Sequence, residues 1–492
     1  VIVRVLVIDL NNFSRYPTLP VGQLVAVMRD QGVTVDVLSP FARGVEGYPR
    51  LTRAKPWGLL EDRLRYWSAV TPSENVRRIR SAAARFVRPG GSGDQETILD
   101  YADEMLRKEP DVVLISAYTM YYETCSEVAK LCKARSVPVI VGGAYFVDRD
   151  IVERWLSIDG VAAVYGGEPE RDLVSILRDV IDARDISRYR GVSVASKVVP
   201  PAPPLESLDD LPFPDYSDFP WHLYPNRIVP IMTGRGCGWG NCRFCADVVT
   251  SAGRTFRSRS LQHVVDEIRF QREQHNAALF VFLDLKLNSD LELWRGLIDA
   301  LPVVAPGAGW TASVHVDTRA DHGLFIQDLA RAKASGLARI TTGLETGSPR
   351  LLKSMAKGTD IARSSEFIRS AAGVGISVRL TTMIGYPGEQ PEDVEATTEF
   401  LYQNESGIER VMLNRFSLMA GTPLDQRVQK KTSDYPLLSR GGLDCSSAVV
   451  EHENLMNSTK AHRRAVNRLL GAVHRINRKP LSTHAQEFEG VM

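Results

Sequence analysis

The sequence is poor in several things at once, and each shortage removes a class of protein. Charge of one sign is missing: 60 Lys and Arg face 59 Asp and Glu, a net of +1. Nucleic-acid binders carry a basic excess, so no nucleic-acid partner is expected. No stretch approaches the ~18 consecutive apolar residues of a membrane span, and no membrane partner is expected either. The opening run Val1–Ile8 is short and β-branched, and reads as a buried first strand rather than a secretory leader. Six cysteines in 492 residues are too few for a disulfide framework, which points to a cytoplasmic chain. After the first strand comes Asp9-Leu10-Asn11-Asn12-Phe13, not G-x-G-x-x-G, so a nicotinamide-binding domain is disfavoured. Histidine is absent from the first 221 residues, although nine follow.

What is present is a long, ordered chain. With 44% hydrophobic residues over 492 positions, two to four domains are expected at roughly 100–200 residues each. Residues 1–197 alternate β-branched runs with helical segments, the pattern of a doubly wound, flavodoxin-like α/β domain. Strands are expected at Val3–Leu10, Val33–Leu38, Asp111–Ser116, Pro138–Val141 and Gly160–Tyr165, with a less regular insert over about 41–95. Gly142-Gly143 and Gly166-Gly167 follow strands, where backbone can approach a ligand closely; tight strand-to-helix turns need the same glycines. Residues 198–225 are rich in proline and acid and read as a stiff linker across the surface. A second alternation, 226–416, predicts six strands with helices between them: a partial (β/α)6 barrel, whose chemistry collects at the C-terminal strand ends. A small, mostly helical segment (417–492) ends in a helix with Val466, Leu469, Leu470, Val473 and Ile476 on one face and a basic opposite face.

Thiols concentrate at one place. Directly after the first barrel strand stands Thr233-Gly-Arg-Gly-Cys237-Gly-Trp-Gly-Asn-Cys242-Arg-Phe-Cys245. Three cysteines within nine residues are metal ligands more often than core residues. A structural zinc needs a fourth ligand; Asp247 and His263 are the nearest substitutes, and neither has the usual spacing. An iron–sulfur cluster on three thiolates keeps one iron open for catalysis. Gly236, Gly238 and Gly240 let the loop wrap such a cluster, and Phe244 can shield it. Cys125 and Cys132, seven apart on an expected helix, read as buried thiols, and Cys445 as a free thiol.

The loop resembles that of the radical S-adenosylmethionine (SAM) enzymes, C-x3-C-x-aromatic-C, with one extra residue in the first gap. Phe280–Asn288 is similar to that family's second strand and loop, Gly343-Leu-Glu345-Thr346 to its fourth-strand motif, and Met383-Ile-Gly385-Tyr-Pro387-Gly388 to the end of its fifth. The resemblance implies a [4Fe-4S] cluster on Cys237, Cys242 and Cys245. It implies SAM contacts from Phe244, Asp284, Lys286, Arg319, Glu345, Gly385 and Gly388.

The first domain resembles the cobalamin-binding domain that precedes one branch of the family, and the phrase Leu208-Asp-Asp-Leu-Pro-Phe-Pro-Asp215-Tyr is typical of that branch's linker. The corrin contacts implied are Asn11, Asn12, Ser116, Tyr118, Thr119, Gly142, Gly143, Tyr165, Gly166, Gly167 and Glu168. By resemblance, the chain is a methyltransferase. A 5′-deoxyadenosyl radical takes hydrogen from an unactivated carbon of a small-molecule or peptide substrate, and methylcobalamin supplies the methyl. An external donor of flavodoxin or ferredoxin type supplies electrons. The alternatives are cyclisation, ring contraction or rearrangement without methyl transfer, and a non-catalytic cobalamin or light sensor. A methylthiotransferase would need a second three-cysteine set in the first domain, where only Cys125 and Cys132 occur.

Because that domain holds no histidine, cobalt would lack a histidine below it; Arg65, Tyr66 and Trp67 are the candidate neighbours. Electron paramagnetic resonance of the cob(II)alamin-loaded protein is therefore expected to show no nitrogen splitting from an axial base. Observing that splitting would refute the reading.

Overall fold

The computed structural model describes residues 3–46, 58–70, 75, 79, 92–246, 255–430, 438–445, 448–454 and 459–491. Asp247 lies outside them, as do the side chains of Arg65 and Tyr66.

The first domain is built on β1 (Arg4–Asp9), β2 (Thr34–Leu38), β3 (Val112–Ser116), β4 (Val139–Gly142), β5 (Val161–Tyr165) and the short β6 (Val192–Ser193). Their spatial order is β2-β1-β3-β4-β5-β6. All pair in parallel except β6, which runs antiparallel to β5. The near-continuous Val/Ile/Leu content follows from burial on both faces. Val5 and Val7 pack with Val21, Val25 and Met28 of the helix Leu19–Asp30. Leu6 and Ile8 face the other way, toward Ile98, Ala102, Cys125, Cys132 and Trp155. The strand order reverses between β1 and β3, and in open α/β sheets ligands bind at the carboxyl ends beside such a reversal.

The second domain carries β7 (Ile228–Ile231), a two-stranded clasp of β8 (Gly234–Arg235) and β9 (Arg257–Ser258), then β10 (Leu279–Phe282), β11 (Gly309–Val314), β12 (Leu337–Glu345), β13 (Ser377–Ile384) and β14 (Arg410–Arg415). The six long strands form one parallel sheet in the order β14-β13-β12-β11-β10-β7, the expected partial barrel. Its N-terminal end is plugged by the chain's last turns. Phe488 and Val491 are buried with Ile228, Val281 and Ala338, and Arg339 and Arg379 donate to the carbonyls of Phe488 and Val491 at 3.1 and 3.0 Å. The C-terminal strand ends are left for chemistry.

Residues 198–225 do more than cross the surface. Tyr216 is fully buried and its hydroxyl donates to the Pro230 carbonyl at 2.9 Å. Gly22 of the first domain makes the room: a Cβ there would sit 2.4 Å from the Tyr216 ring. Asp215 N donates to Gly22 O at 2.9 Å, and Gln271 of the barrel donates to Pro214 O at 2.7 Å. The segment is thus a filler that glues the two domains, because its aromatic residues, rather than its prolines, decide where it goes.

The C-terminal segment adds a three-stranded antiparallel sheet that the sequence did not announce: β15 (Leu418–Met419), β16 (Leu438–Asp444) and β17 (Val449–Asn454), in the order β15-β17-β16. Its strands are short or broken by Gly441-Gly442, so they lack a clear two-residue period. Ala448 and Leu443 join the core of the first domain, while Leu418 and Val450 join Phe416, Tyr386 and Leu351 of the second. The helix Lys460–Asn477 buries the expected apolar face. Its basic face is partly paired: Arg468 meets Glu395, Arg475 meets Glu405, and the Arg463 guanidinium lies 5.0 Å over the Trp67 ring. Trp67 is therefore engaged by the tail helix.

Replacing Tyr216 with Ala should lower stability by about 3–5 kcal/mol, the usual cost of deleting a buried aromatic ring. The check is the midpoint of urea unfolding against wild type; an unchanged midpoint would contradict the packing described.

Candidate active site

The three-cysteine loop leaves the end of β7 and is pinned at its root by one buried carboxylate. Asp284, just beyond β10, accepts from Thr233 Oγ1 at 2.8 Å, Thr233 N at 3.1 Å and Gly234 N at 2.9 Å. Burial pushes its carboxyl up to about 6 despite these donors. Gly236 turns with φ +88°, where a Cβ would lie 1.7 Å from the Thr255 carbonyl oxygen. Farther along, Gly238 N donates to Ser289 Oγ at 3.2 Å, Trp239 Nε1 to Ala356 O at 2.9 Å, and Arg243 N to Met355 O at 2.9 Å. Leu424 N closes the last anchor on Arg243 O at 2.9 Å. Phe244 stands edge-on to Tyr386, with centroids 6.3 Å apart.

Cys242 is buried and Cys237 and Cys245 are half-buried. Among the described residues, no three Cys, His, Asp or Glu converge as ligands of one ion do. A cubane cluster takes each thiolate on a different iron, so three soft sulfurs on one glycine-rich loop fit it as a donor set. His263 is already engaged, accepting from Arg259 Nε at 3.0 Å beside Asp209.

Charged side chains ring this loop. At the end of β12, Glu345 adopts φ +63°, a costly conformation for a residue with a Cβ. Its carboxylate accepts from Lys357 Nζ at 2.9 Å. A Cβ at residue 343 would fall 2.4 Å from Glu345 Oε1 and 2.7 Å from Lys357 Nζ, which explains the glycine. Burial pulls the Lys357 ammonium down, but Glu345 and the thiols of Cys242 and Cys245 outweigh it and hold it above the ordinary lysine range. Lys357 was not legible as a site residue: nothing in Met-Ala-Lys-Gly marks it.

Lys286 is buried against Asp317, and Arg319 Nε donates to the same carboxylate at 3.0 Å. Burial raises Asp317, yet Arg319 and Lys286 together hold it at about 2. Arg319 also donates to the Asn288 carbonyl at 3.0 Å. At the end of β13, Gly385 (φ +83°) donates its N–H to Glu389 Oε1 at 3.0 Å, and the same oxygen meets His462 Nε2 at 2.7 Å. Gly388 (φ +82°) has open space where a Cβ would stand.

A cavity of about 330 Å³ lies between the two domains. Asn11, Ser116, Tyr118, Gly142, Gly143, Tyr165, Gly167 and Glu168 line it from the first domain, at the carboxyl ends of β1, β3, β4 and β5. Gly234, Arg235, Gly236, Leu283 and Leu285 line it from the barrel. Asn12, Thr119 and Gly166 are placed elsewhere. The Asn12 side chain donates to Val45 O at 2.7 Å and accepts from Phe41 N at 2.8 Å, Thr119 is buried in a turn, and Gly166 is backed against the Phe146 carbonyl. The cavity's lining combines apolar Val7, Leu24, Leu114, Ile140 and Ile176 with a polar interdomain rim of Glu168, Glu170 and Arg235. Glu170 Oε2 at that rim is buried with no hydrogen-bond partner, an acceptor waiting for a donor. Such a wall suits a large ligand bearing amide N–H groups, as the side chains of a corrin do.

The same rim locks the domains together. Glu168 accepts from Arg257 at 2.8 and 2.9 Å and from Leu205 N at 2.8 Å, with Arg235 at 3.4 Å; Glu170 accepts from Arg235 at 2.6 Å. Arg235 is two residues before Cys237.

Residues 231–401 match the Radical SAM superfamily. The barrel is a radical SAM domain. The chain is 29% identical over 324 residues to an uncharacterised methyltransferase of Pyrococcus horikoshii, covering 63% of this chain and 68% of that one. It is 25% identical over 337 residues to the bacteriochlorophyllide d C-12(1)-methyltransferase of Chlorobaculum tepidum, covering 66% and 67%. Among solved structures it is similar to the radical SAM methyltransferase TsrM from Kitasatospora setae with cobalamin and a [4Fe-4S] cluster bound. The TM-score there is 0.68 at 15% identity, over 96% of this chain and 89% of that one. The two-domain radical SAM fold is shared almost end to end.

Replacing Glu168 with Ala removes the carboxylate partner of the largely buried Arg257 guanidinium and leaves Arg235 to Glu170 alone, at an expected cost of about 3–5 kcal/mol. Chemical denaturation would show it, with exposed Glu392→Ala as the control of little effect.

Proposed function

We propose that this protein is a cobalamin-dependent radical SAM methyltransferase acting on a carbon of a small-molecule or peptide substrate. One observation carries the reading: the cavity at the carboxyl edge of the flavodoxin-like sheet and the three-cysteine loop share a wall, Gly234–Gly236. The methyltransferase names of its relatives and the cobalamin and cluster of TsrM support it. When bound, the cluster and SAM would supply hydrogen-abstracting chemistry and cobalamin a transferable methyl.

The chain's own residues would position these groups. Cys237, Cys242 and Cys245 would ligate the cluster. Lys357 neutralises Glu345 and offers positive charge to the thiolates, favouring their ionised, ligating form. Glu345 would accept from SAM's ribose or amine, and Gly385 and Gly388 would leave room for its adenine. Asp284, with its oxygens on the loop's own amides, would act by holding the loop's root. Lys286 and Arg319 share the one carboxylate of Asp317, which leaves the group a net positive charge, and would face the methionine end of SAM. Asn11, Ser116, Tyr118, Gly142, Gly143, Tyr165, Gly167 and Glu168 would hold the corrin. Methylthio transfer is disfavoured, because Cys125 and Cys132 are core thiols, the latter pushed up to about 12 by burial. Cys445 is half-buried beside Asp148 and Asp150. No described helix is long and apolar enough to cross a membrane. Oxygen-sensitive ligation of a cluster by three thiolates would call for the reducing cytoplasm.

The test is anaerobic reconstitution with iron, sulfide, cobalamin and SAM, followed by mass spectrometry of candidate substrates. A product heavier by one methylene is expected; a product of unchanged mass would favour rearrangement or cyclisation. Cys237→Ala, Cys242→Ala and Cys245→Ala should each lose iron–sulfur absorbance and SAM cleavage. Cleavage retained in any of them would reject the ligand assignment.

A further inference from the structure

The tail helix Lys460–Asn477 meets the segment 389–405 through contacts of two kinds. Arg468 with Glu395 and Arg475 with Glu405 are ion pairs whose arginines are exposed. The contact at the start of the helix is buried instead: His462 Nε2 donates to Glu389 Oε1 at 2.7 Å, and the two side chains are 1% and 2% exposed. Docking the helix does not need this pair, since Val466, Leu469, Leu470 and Ile476 already bury an apolar stripe. Sinking a carboxylate and an imidazole together costs desolvation that a packed hydrophobic residue avoids. What the pair adds is direction at the β13 turn.

Glu389 closes that turn twice. Its N–H donates to Tyr386 O at 2.9 Å, and its Oε1 accepts from Gly385 N at 3.0 Å. Gly385 and Gly388 take φ of +83° and +82° inside the turn, which gives it glycine's freedom and a need for restraint from outside. The His462 ring and the Gly385 amide fix the same carboxylate oxygen. Burial pushes the Glu389 carboxyl up, and His462 pulls it back more than the Gly385 N–H does. His462 is itself held in place. Its N–H donates to the Thr459 hydroxyl at 3.2 Å, and beside it the Arg463 guanidinium lies 5.0 Å over the Trp67 ring of the first domain.

We infer that His462 is a positioning residue for SAM: by anchoring the Glu389 carboxylate on Gly385 N–H, it keeps the β13 turn in the shape that takes the adenine. The inference rests on the reading that Gly385 and Gly388 border SAM. It brings into SAM binding a tail residue 73 positions from Glu389 and outside the barrel strands.

The test uses the full chain reconstituted with iron and sulfide, and measures SAM binding by equilibrium dialysis without a reductant, so that no turnover intervenes. His462→Gln and His462→Asn are compared. Both keep an amide donor, but only glutamine is long enough to place its nitrogen where Nε2 stands. The Asn variant is expected to bind SAM about tenfold more weakly, and the Gln variant to stay within about threefold of wild type. Arg468→Ala, at an exposed pair of the same helix, should bind SAM as wild type does, and all variants should keep the wild-type iron–sulfur absorbance. In wild type, SAM should slow amide exchange at 385–389 and also at 459–463, because a ligand and the contact that prepares its site stabilise one another. If the Asn variant does not fold, this exchange measurement decides. Equal SAM affinity in wild type and both His462 variants would overturn the role. Equal loss in the Gln and Asn variants, or a similar loss in Arg468→Ala, would overturn it too, as would exchange at 459–463 that SAM leaves unchanged. A cluster-loaded wild type that binds no SAM would overturn the functional reading and this inference together. SAM binding that is present but indifferent to residue 462 would overturn the inference alone.

Discussion

Two carboxylates from one domain and two guanidiniums from the other, all largely buried, set the geometry on which everything else depends. Glu168 and Glu170 follow the glycine turn at the end of β5; Arg235 and Arg257 form the clasp beneath the cysteine loop. Burying such groups is expensive, and a hydrophobic filler of equal volume would often be as stable. What the ions add is direction. A guanidinium fork accepts carboxylates in few orientations, so the network fixes the angle between cavity and loop more narrowly than apolar contact would.

Around that lock, each part of the site is held by elements distant in sequence. The loop's root hangs on Asp284 beyond β10, its middle on Ala356 and Met355, and its end on Leu424. Glu345 is held in a left-handed conformation by the close of β12 and by Lys357. Even the β13 turn leans on the C-terminal helix through the buried Glu389–His462 contact. Strain and buried charge of this kind are kept where a site must be rigid before its ligands arrive.

Much of the fold was legible. The five strands expected in the first domain appear within one residue of their boundaries, and the six parallel strands of the second fall within 226–416. A parallel sheet buried on both faces writes itself as continuous β-branched runs, and capped amphipathic helices write themselves as a 3.6-residue period. The β15–β17 sheet left no such mark, since its pairing is between segments broken by glycines. The linker was legible as a break in pattern, but not as an interdomain filler, because Tyr216 finds its slot only opposite Gly22, far away in the chain.

For the site, local sequence determined the donors: three thiols, their glycines and the aromatic residue beside the last one, since a cluster loop must carry its ligands at short spacing. The glycine turns of the first domain were equally local. Tertiary structure alone decided that Gly234–Gly236 and the sheet edge share one cavity, and that Asp284 spends its oxygens on the loop. It alone decided that Lys357 stands beside Glu345. Ligand spacing is a property of a few consecutive residues; convergence of charge is a property of where distant strands and helices end.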